Sequence, residues 1–501
     1  MLLLLIAIAA SPLRGAGSTC TALRNRNIFS TVEVKVGTPP QVFDLVADTG
    51  SSSLIVQSCV CQEMGSCPYT FGRCFRGHDK SSTFSIPRSS RQDAKAGPEI
   101  WILTYGSGDI EAVVASDEVS VGNYTAHMNS SLLLMVSQAL NFDDAGFQGI
   151  LGLGVPNLTA RIRRGSGGAG TSHRQPEVLT TFLDEAQVKR FSLCFNSGAD
   201  GVLGLDYPAP EKLLPILSTD HWALRVQGTS VAGQTVSATK DGQLAIPDSG
   251  TTLITGPQTE IASLMETICD KWPRCKQAQD DLAAAMVQSD VSVSGNEARS
   301  SIRRLLVAKS QWHKGLPPAL LEAAEFTHPS PSGVMALQML LEDCGSWKKG
   351  VDLDAEMPAI EFRLQGADGA QQDIQLLPSS YIAEVSSEAL VWSQKYLLGI
   401  LPYWWPETEE ESSCAILLGT ANYTGMDQVW ILGTPLFYNR RVHFDLSTLQ
   451  IGFSDEPCGS CDSGNYETVG NPSLVQGATP MRQLRHPGRV PWPRAFESLN
   501  H

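Results

Sequence analysis

Two short segments of the chain are near-copies of each other: Val46-Ala47-Asp48-Thr49-Gly50-Ser51-Ser52 and Ala245-Ile246-Pro247-Asp248-Ser249-Gly250-Thr251-Thr252. Each sets one carboxylate between an apolar stretch and a hydroxyl-Gly-hydroxyl turn. Either segment alone reads as an Asx turn at a strand end. One in each half of the chain predicts paired acids brought together by a duplicated fold. Carboxylates about 3 Å apart, at an effective dielectric near 20, repel by roughly 5 kcal/mol, or about 4 pKa units. One of them therefore stays protonated over a wide acidic range, and the two titrate as a unit. Such a pair offers a base to take a proton from water and an acid to protonate the oxygen of the carbonyl whose carbon the water attacks.

The neighbouring residue types suit that chemistry. Gly50 and Gly250 let the backbone turn tightly and bring its N–H groups close to the acids. Thr49 and Ser249 carry hydroxyls that can tie one turn to the other. Ser51 and Thr251 can each donate to an adjacent carboxylate, which favours its ionised form and fixes its rotamer.

The elements that must position these residues read as strands. Thr31-Val32-Glu33-Val34-Lys35-Val36 alternates strictly, and Gly37-Thr38-Pro39-Pro40 turns the chain into Val42-Phe43-Asp44-Leu45-Val46. Short strands separated by Gly, Pro and Ser turns continue to about Leu205. The pattern resumes near His221, with Trp222-Ala223-Leu224-Arg225-Val226, and runs to Phe453. This is an all-β signature repeated once, giving an N-terminal lobe over residues 28–205 and a C-terminal lobe over residues 216–461. Residues 206–215, with three prolines, form the passage between them. Two stretches break the repeat. Residues 161–177 are a polar, Gly-rich surface insertion, with a processing site for a basic-specific protease as the sharper alternative. Residues 276–343 are helix-like and are expected to pack on the C-terminal lobe as an added helical element. Residues 462–501 lack periodicity and read as a disordered tail.

Bulk properties narrow the partners. The 501 residues carry a net charge of −15 with no dense Lys/Arg cluster, which argues against nucleic acid and anionic membrane. The run Met1-Leu2-Leu3-Leu4-Leu5-Ile6-Ala7-Ile8-Ala9-Ala10 reads as a signal peptide over residues 1–19, a buried terminal strand being the other reading. No later stretch reaches about 18 uninterrupted apolar residues, so no stable membrane anchor is expected. Twelve cysteines in such a chain argue for disulfides. Zinc is the competing reading for Cys59, Cys61, Cys67 and Cys74, but the spacing lacks paired Cys-x-x-Cys halves and only His78 stands nearby. Asn123, Asn129, Asn157 and Asn422 begin glycosylation sequons that fit a secretory route.

These residues carry a resemblance to the pepsin-like aspartic protease family, running from about Ile28 to Cys458. Asp48-Thr49-Gly50-Ser51-Ser52 and Asp248-Ser249-Gly250-Thr251-Thr252 resemble the family's two active-site loops. Leu103-Thr104-Tyr105-Gly106-Ser107-Gly108 is similar to its flap hairpin, with Tyr105 as the aromatic tip residue. Gly149-Ile150-Leu151-Gly152-Leu153-Gly154 and Trp430-Ile431-Leu432-Gly433 resemble the segments that lie beside each active-site loop. The resemblance implies a bilobal pepsin-like fold with a helical insertion in the C-terminal lobe. It also implies Asp48 and Asp248 as catalytic pair, an extended polypeptide substrate under a mobile flap, no metal or organic cofactor, and a monomer that is secreted or held in an acidic vesicle or vacuole.

The chain departs from the family pattern in three places. The family has Trp seven residues after the first catalytic Asp, where it holds the flap tyrosine; here that residue is Ile55, so Tyr105 is expected to lack that bond. Residues 11–27 are too short for the family's basic prosegment, which implies either no zymogen stage or a start upstream of Met1. The cysteine cluster after Asp48 is denser than in pepsin and is similar to nepenthesin-like and plasmepsin-like branches, with its connectivity open. The later cysteines resemble those of β-secretase, which implies Cys194–Cys458 and Cys344–Cys414. Cys269 and Cys275 could close a small loop, and Cys20 with Cys461 is what remains. The rival function is a peptide-binding protein on the same fold, which would be expected to lose an acid or the tyrosine. A serine or metallohydrolase lacks its motif here.

Overall fold

A computed structural model describes residues 19–26, 29–67, 73–87, 98, 100–106, 108–139, 146–156, 163–164, 179–289, 332–397, 401–420, 428–462 and 465–467. The fold is mostly β, as the alternating pattern predicts, and the helices sit mainly in the second half. A fourteen-stranded sheet carries the first half, and a seven-stranded sheet carries the second.

The duplication is visible in how each acid-bearing strand is paired. Gln41–Asp48 runs parallel to Gly149–Gly152, with Asp48 opposite Gly152. Gln234–Pro247 runs parallel to Val429–Leu432, with Pro247 opposite Leu432. A third strand then packs antiparallel to each partner, Leu54–Gln57 in the first half and Ile254–Gly256 in the second. Strands buried on both faces read as continuous apolar runs. Val46, Ala47, Ile150 and Leu151 are accordingly all buried. Gly152 and Gly433 mark where the crossing chains touch. A Cβ would stand 2.4 Å from the Ser53 nitrogen at the first and 2.2 Å from the Leu253 carbonyl oxygen at the second.

The fourteen-stranded sheet takes strands from distant parts of the chain. Arg441–Asp445 pairs antiparallel with Arg190–Asn196, and Thr19–Asn25 pairs with both Ala199–Leu205 and Ser30–Val36. The main core runs through both sheets, with Phe191 stacked on Phe444 at 4.7 Å and Trp222 packed on both rings.

Helices flank the stretch expected to be a helical insertion. Pro273–Ser289 and Gly333–Glu342 are helices; residues 290–331 lie outside the described residues. Ser332 caps the second helix by accepting from the Met335 N–H, and Glu266 accepts from the Gly333 N–H at 2.7 Å. Leu337 and Leu341 are buried in the main core, and Trp347 packs edge-on against Trp272. The unit is thus sewn onto the helix Gln258–Lys271.

All twelve cysteines are paired: Cys20–Cys461, Cys59–Cys74, Cys61–Cys67, Cys194–Cys458, Cys269–Cys275 and Cys344–Cys414. The four thiols of the first cluster are therefore taken up by each other and do not serve as zinc ligands. Disulfides on this scale fit an extracellular or vesicular protein. No described helix is long and apolar enough to cross a membrane. Asn123 and Asn129 are exposed, while Asn157, Asn422, most of 161–177 and the segment 1–18 lie outside the described residues.

Candidate active site

The two hydroxyl-Gly-hydroxyl turns meet face to face. The Thr49 N–H donates to Ser249 Oγ at 3.0 Å, and the Ser249 N–H donates to Thr49 Oγ1 at 3.0 Å. Each hydroxyl then donates to the backbone of the opposite segment, Thr49 to the Pro247 carbonyl at 2.9 Å and Ser249 to the Ala47 carbonyl at 2.7 Å. Thr49 and Ser249 are buried, so these four bonds form where water does not compete.

Each turn also grips its own acid in the same way. The Gly50 N–H donates to Asp48 Oδ1 at 2.8 Å and Ser51 Oγ donates to Oδ2 at 2.5 Å. The Gly250 N–H donates to Asp248 Oδ1 at 2.9 Å and Thr251 Oγ1 donates to Oδ2 at 2.7 Å. The glycines are required by the opposite acid. A Cβ on Gly50 would lie 2.6 Å from the Asp248 carboxylate, and one on Gly250 would lie 2.4 Å from Asp48 Oδ1.

Burial is uneven across this symmetric frame. Asp48 is 7% exposed, whereas Asp248 is half-buried. Burial foremost, and then the Asp248 charge, hold the Asp48 carboxyl well above the usual carboxylate range. The Ser51 and Gly50 donors pull the other way, and a shared hydrogen bond with Asp248 favours the protonated form. The pair can therefore hold one proton between two oxygens, which is what acid and base action on a single water requires.

The hairpin of Ile100–Tyr105 and Gly108–Val121 closes tightly, with Tyr105 opposite Gly108. Gly106 is exposed at the turn, and Ser107 lies outside the described residues. Trp101 and Leu103 are buried and Tyr105 follows on the same face, as the two-residue period of a strand requires. Tyr105 packs against a separate apolar cluster that includes Ile55, Leu103, Ile110 and Met135. Ile55 fills this cluster because it is the one residue of Leu54-Ile55-Val56 facing that side; its neighbours face the main core. No indole stands at position 55, and Tyr105 packs against this cluster and lies in the field of Asp48. Burial and that negative charge hold the phenol above its usual range.

Several supporting residues were not marked out by the sequence motifs. Cys61 belongs to, and Cys67 packs against, the same cluster as Tyr105, so the dense cysteines help to support the hairpin. Trp222 is fully buried and donates from Nε1 to the Leu153 carbonyl at 2.9 Å; the Leu153 N–H donates in turn to the Asp48 carbonyl. His221, next in sequence, is half-buried; burial lowers its pKa, and the nearby Asp220 and Asp248 charges oppose that shift. Its adjacency to a buried tryptophan was the one available signal. Thr434 ties the second turn by donating from its N–H to the Thr251 carbonyl at 2.8 Å.

The sequence pattern of the eukaryotic aspartyl protease family matches residues 30–456. Among curated proteins, cathepsin E of Aquarana catesbeiana is 28% identical over 248 residues, covering 47% of this chain and 56% of its own length. Napsin-A of Mus musculus is 31% identical over 252 residues, covering 49% and 55%. Aspartic proteinase A2 of Arabidopsis thaliana is 26% identical over 314 residues, covering 60% and 54%. The chain thus spans about half the length of these relatives.

Proposed function

Because the chain belongs to the eukaryotic aspartyl protease family, we propose that it is an endopeptidase in which Asp48 and Asp248 together activate the water that attacks a peptide carbonyl. The observation that carries this reading is the mutual clamp of Thr49 and Ser249, which holds two equivalently ligated carboxylates against each other. In the productive state one carboxyl is ionised and takes a proton from the water, and the other donates its proton to the carbonyl oxygen. The substrate is a polypeptide lying extended between the lobes of residues 28–205 and 216–461, under the Tyr105 hairpin. The place of action is the secretory route or an acidic compartment it feeds, which suits a pair that needs one proton.

A peptide-library digest between pH 3 and 6, with and without pepstatin, tests the reading. Pepstatin-sensitive cleavage that disappears in Asp48→Asn and Asp248→Asn is the expected result. Peptides bound but never cut by the native protein would instead assign it to peptide binding on the same fold. Intact cleavage in both variants would remove the two acids from the mechanism.

A further inference from the structure

A long hairpin stands apart from the two large sheets. Ile382–Leu397 and Leu401–Ile416 pair antiparallel from Ile382 opposite Ile416 to Leu397 opposite Leu401, and among the described residues no third strand joins them. The base of this arm is pinned to the fold. Cys414 is bonded to Cys344, Lys348 pairs with Glu384, and the helices Gly333–Glu342 and Cys344–Trp347 lie against the second strand. Two strands without a sheet neighbour are marginally stable in water, so the rest of the arm calls for a surface to cover it.

Register and residue type divide the arm in two. The inner rungs, as far as Val391 opposite Glu407, bring together six glutamates and no basic residue, with Glu388 directly opposite Glu410. Like charges placed so disfavour pairing, and they belong in water. The six outer rungs, from Trp392 opposite Pro406 to Leu397 opposite Leu401, hold three tryptophans, two tyrosines and a single charge, Lys395. Successive residues of a strand alternate between faces, and residues directly opposite share one. Trp392, Tyr396 and Trp404 therefore fall on one face of the arm, and Tyr403 and Trp405 on the other.

That division argues for one kind of cover. A protein groove takes one face of a hairpin and leaves the other to water, whereas aromatic residues on both faces suit a medium that surrounds the arm. Pro402 and Pro406 remove two N–H donors from one strand, which works against adding a strand from a second chain. Trp and Tyr gather where a bilayer meets water, because each ring is apolar and carries a polar handle. At about 3.4 Å per residue the outer rungs extend about 20 Å, enough to pass the headgroups and short of the about 30 Å hydrocarbon core. The unpaired edges of an open hairpin need water or headgroups as partners, which limits it to that depth.

We propose that the outer half of this hairpin seats in the interface of a zwitterionic phosphatidylcholine bilayer, holding the molecule on the membrane without spanning it. The inner glutamates and the net charge of −15 select against anionic lipid. The attachment is peripheral, and it does not depend on the proteolytic reading above.

The test is flotation of the full chain with vesicles of pure phosphatidylcholine, and with vesicles in which part of it is replaced by phosphatidylserine. Native protein is expected to float with the first and more weakly with the second. Trp404→Ser/Trp405→Ser should lower the partition into phosphatidylcholine at least about tenfold, the scale of withdrawing two aromatic side chains from partial burial. Lys395→Glu keeps every aromatic residue and sets an acid among the outer rungs. It should lower the partition as well, and it keeps the test decisive should the double variant fail to fold. The apolar run of residues 1–10 is common to all three proteins, so differences between them report on the hairpin. Native protein that stays in solution, equal flotation of native protein and both variants, or a preference for phosphatidylserine would each overturn the proposal. Protein that ignores vesicles but forms dimers lost in Trp404→Ser/Trp405→Ser would also overturn it, and would assign the arm to a second copy of the chain.

Discussion

Thr49 and Ser249 are reciprocal partners: the backbone N–H of each donates to the side-chain oxygen of the other, both at 3.0 Å. Neither hydroxyl can be removed without leaving groups of the opposite segment unpaired in a buried site. Thr49→Val keeps the shape and removes the hydroxyl, stranding the Ser249 N–H and the Pro247 carbonyl. Each stranded buried group costs about 1–3 kcal/mol. Urea denaturation should show Thr49→Val less stable than native by about 2–4 kcal/mol, with Thr49→Ser close to native. The double variant Thr49→Val/Ser249→Ala should lose less than the sum of the single changes, since the two share bonds. Additive losses would mean that the two turns are held independently.

Gly50 and Gly250 are set by the carboxylate across the pair rather than by their own turns. A methyl at either site lies within 2.6 Å of the opposite acid, so the acids must separate to admit it. Gly50→Ala and Gly250→Ala are expected to keep a native circular dichroism spectrum while losing at least about 100-fold in kcat, the scale of an ångström's misplacement at a reacting centre. Near-native turnover in either variant would show that the carboxylates need not stay so close.

The raised Asp48 carboxyl has a stability cost with a definite sign. In the unfolded chain this group titrates in the ordinary carboxylate range; in the fold it holds its proton to higher pH. Its contribution is therefore fully present below the unfolded value and is lost as pH rises through the folded one. Thermal melts from pH 3.5 to 8 should show Asp48→Asn gaining on the native protein as pH rises, because Asn carries no charge to bury. A constant difference between the two across that range would show that the buried acid is not what sets the slope.

His443 is expected to act in the opposite direction. It is 4% exposed, its Nε2 meets Ser454 Oγ at 3.0 Å, and burial together with the Arg441 charge pushes it down to about 3. The unfolded chain gains a proton below about 6.5, whereas the folded chain does not until far lower. Acidification between those values should cost up to about 1.4 kcal/mol per pH unit from this group. His443→Gln should flatten the acid side of the stability profile measured by denaturant titration; an unchanged profile would mean that the ring is protonated in place.

Much of the fold was legible because its signals are local. Alternation in Thr31-Val32-Glu33-Val34-Lys35-Val36 and the turn that follows it are read within a few residues, and the observed strand is Ser30–Val36. The two acidic segments could be matched by eye because a duplicated turn repeats its residue types. What depended on distant register was not legible. Nothing near Arg441 announces that its strand will lie beside Arg190–Asn196, and nothing in Cys61 or Cys67 announces a place under the hairpin. Ile55 could be read as a departure from the family pattern, yet its place in the apolar cluster that Tyr105 packs against depends on where the hairpin lands, which is a tertiary fact.

The strand Arg441–Asp445 is synthesised long after its neighbour Arg190–Asn196, and Cys194 likewise waits for Cys458 across a separation of 264 residues. During synthesis the first half therefore carries an unpaired strand edge, the kind of edge that invites pairing with other chains. Non-local closure of this kind is slow to search for, and it exposes intermediates to aggregation while it proceeds. Chains interrupted before residue 441 would leave that edge open permanently. A cell making this protein thus gains from keeping the nascent first half apart from its copies until the far end arrives, so the sheet that joins the two halves also sets when the molecule becomes safe to release.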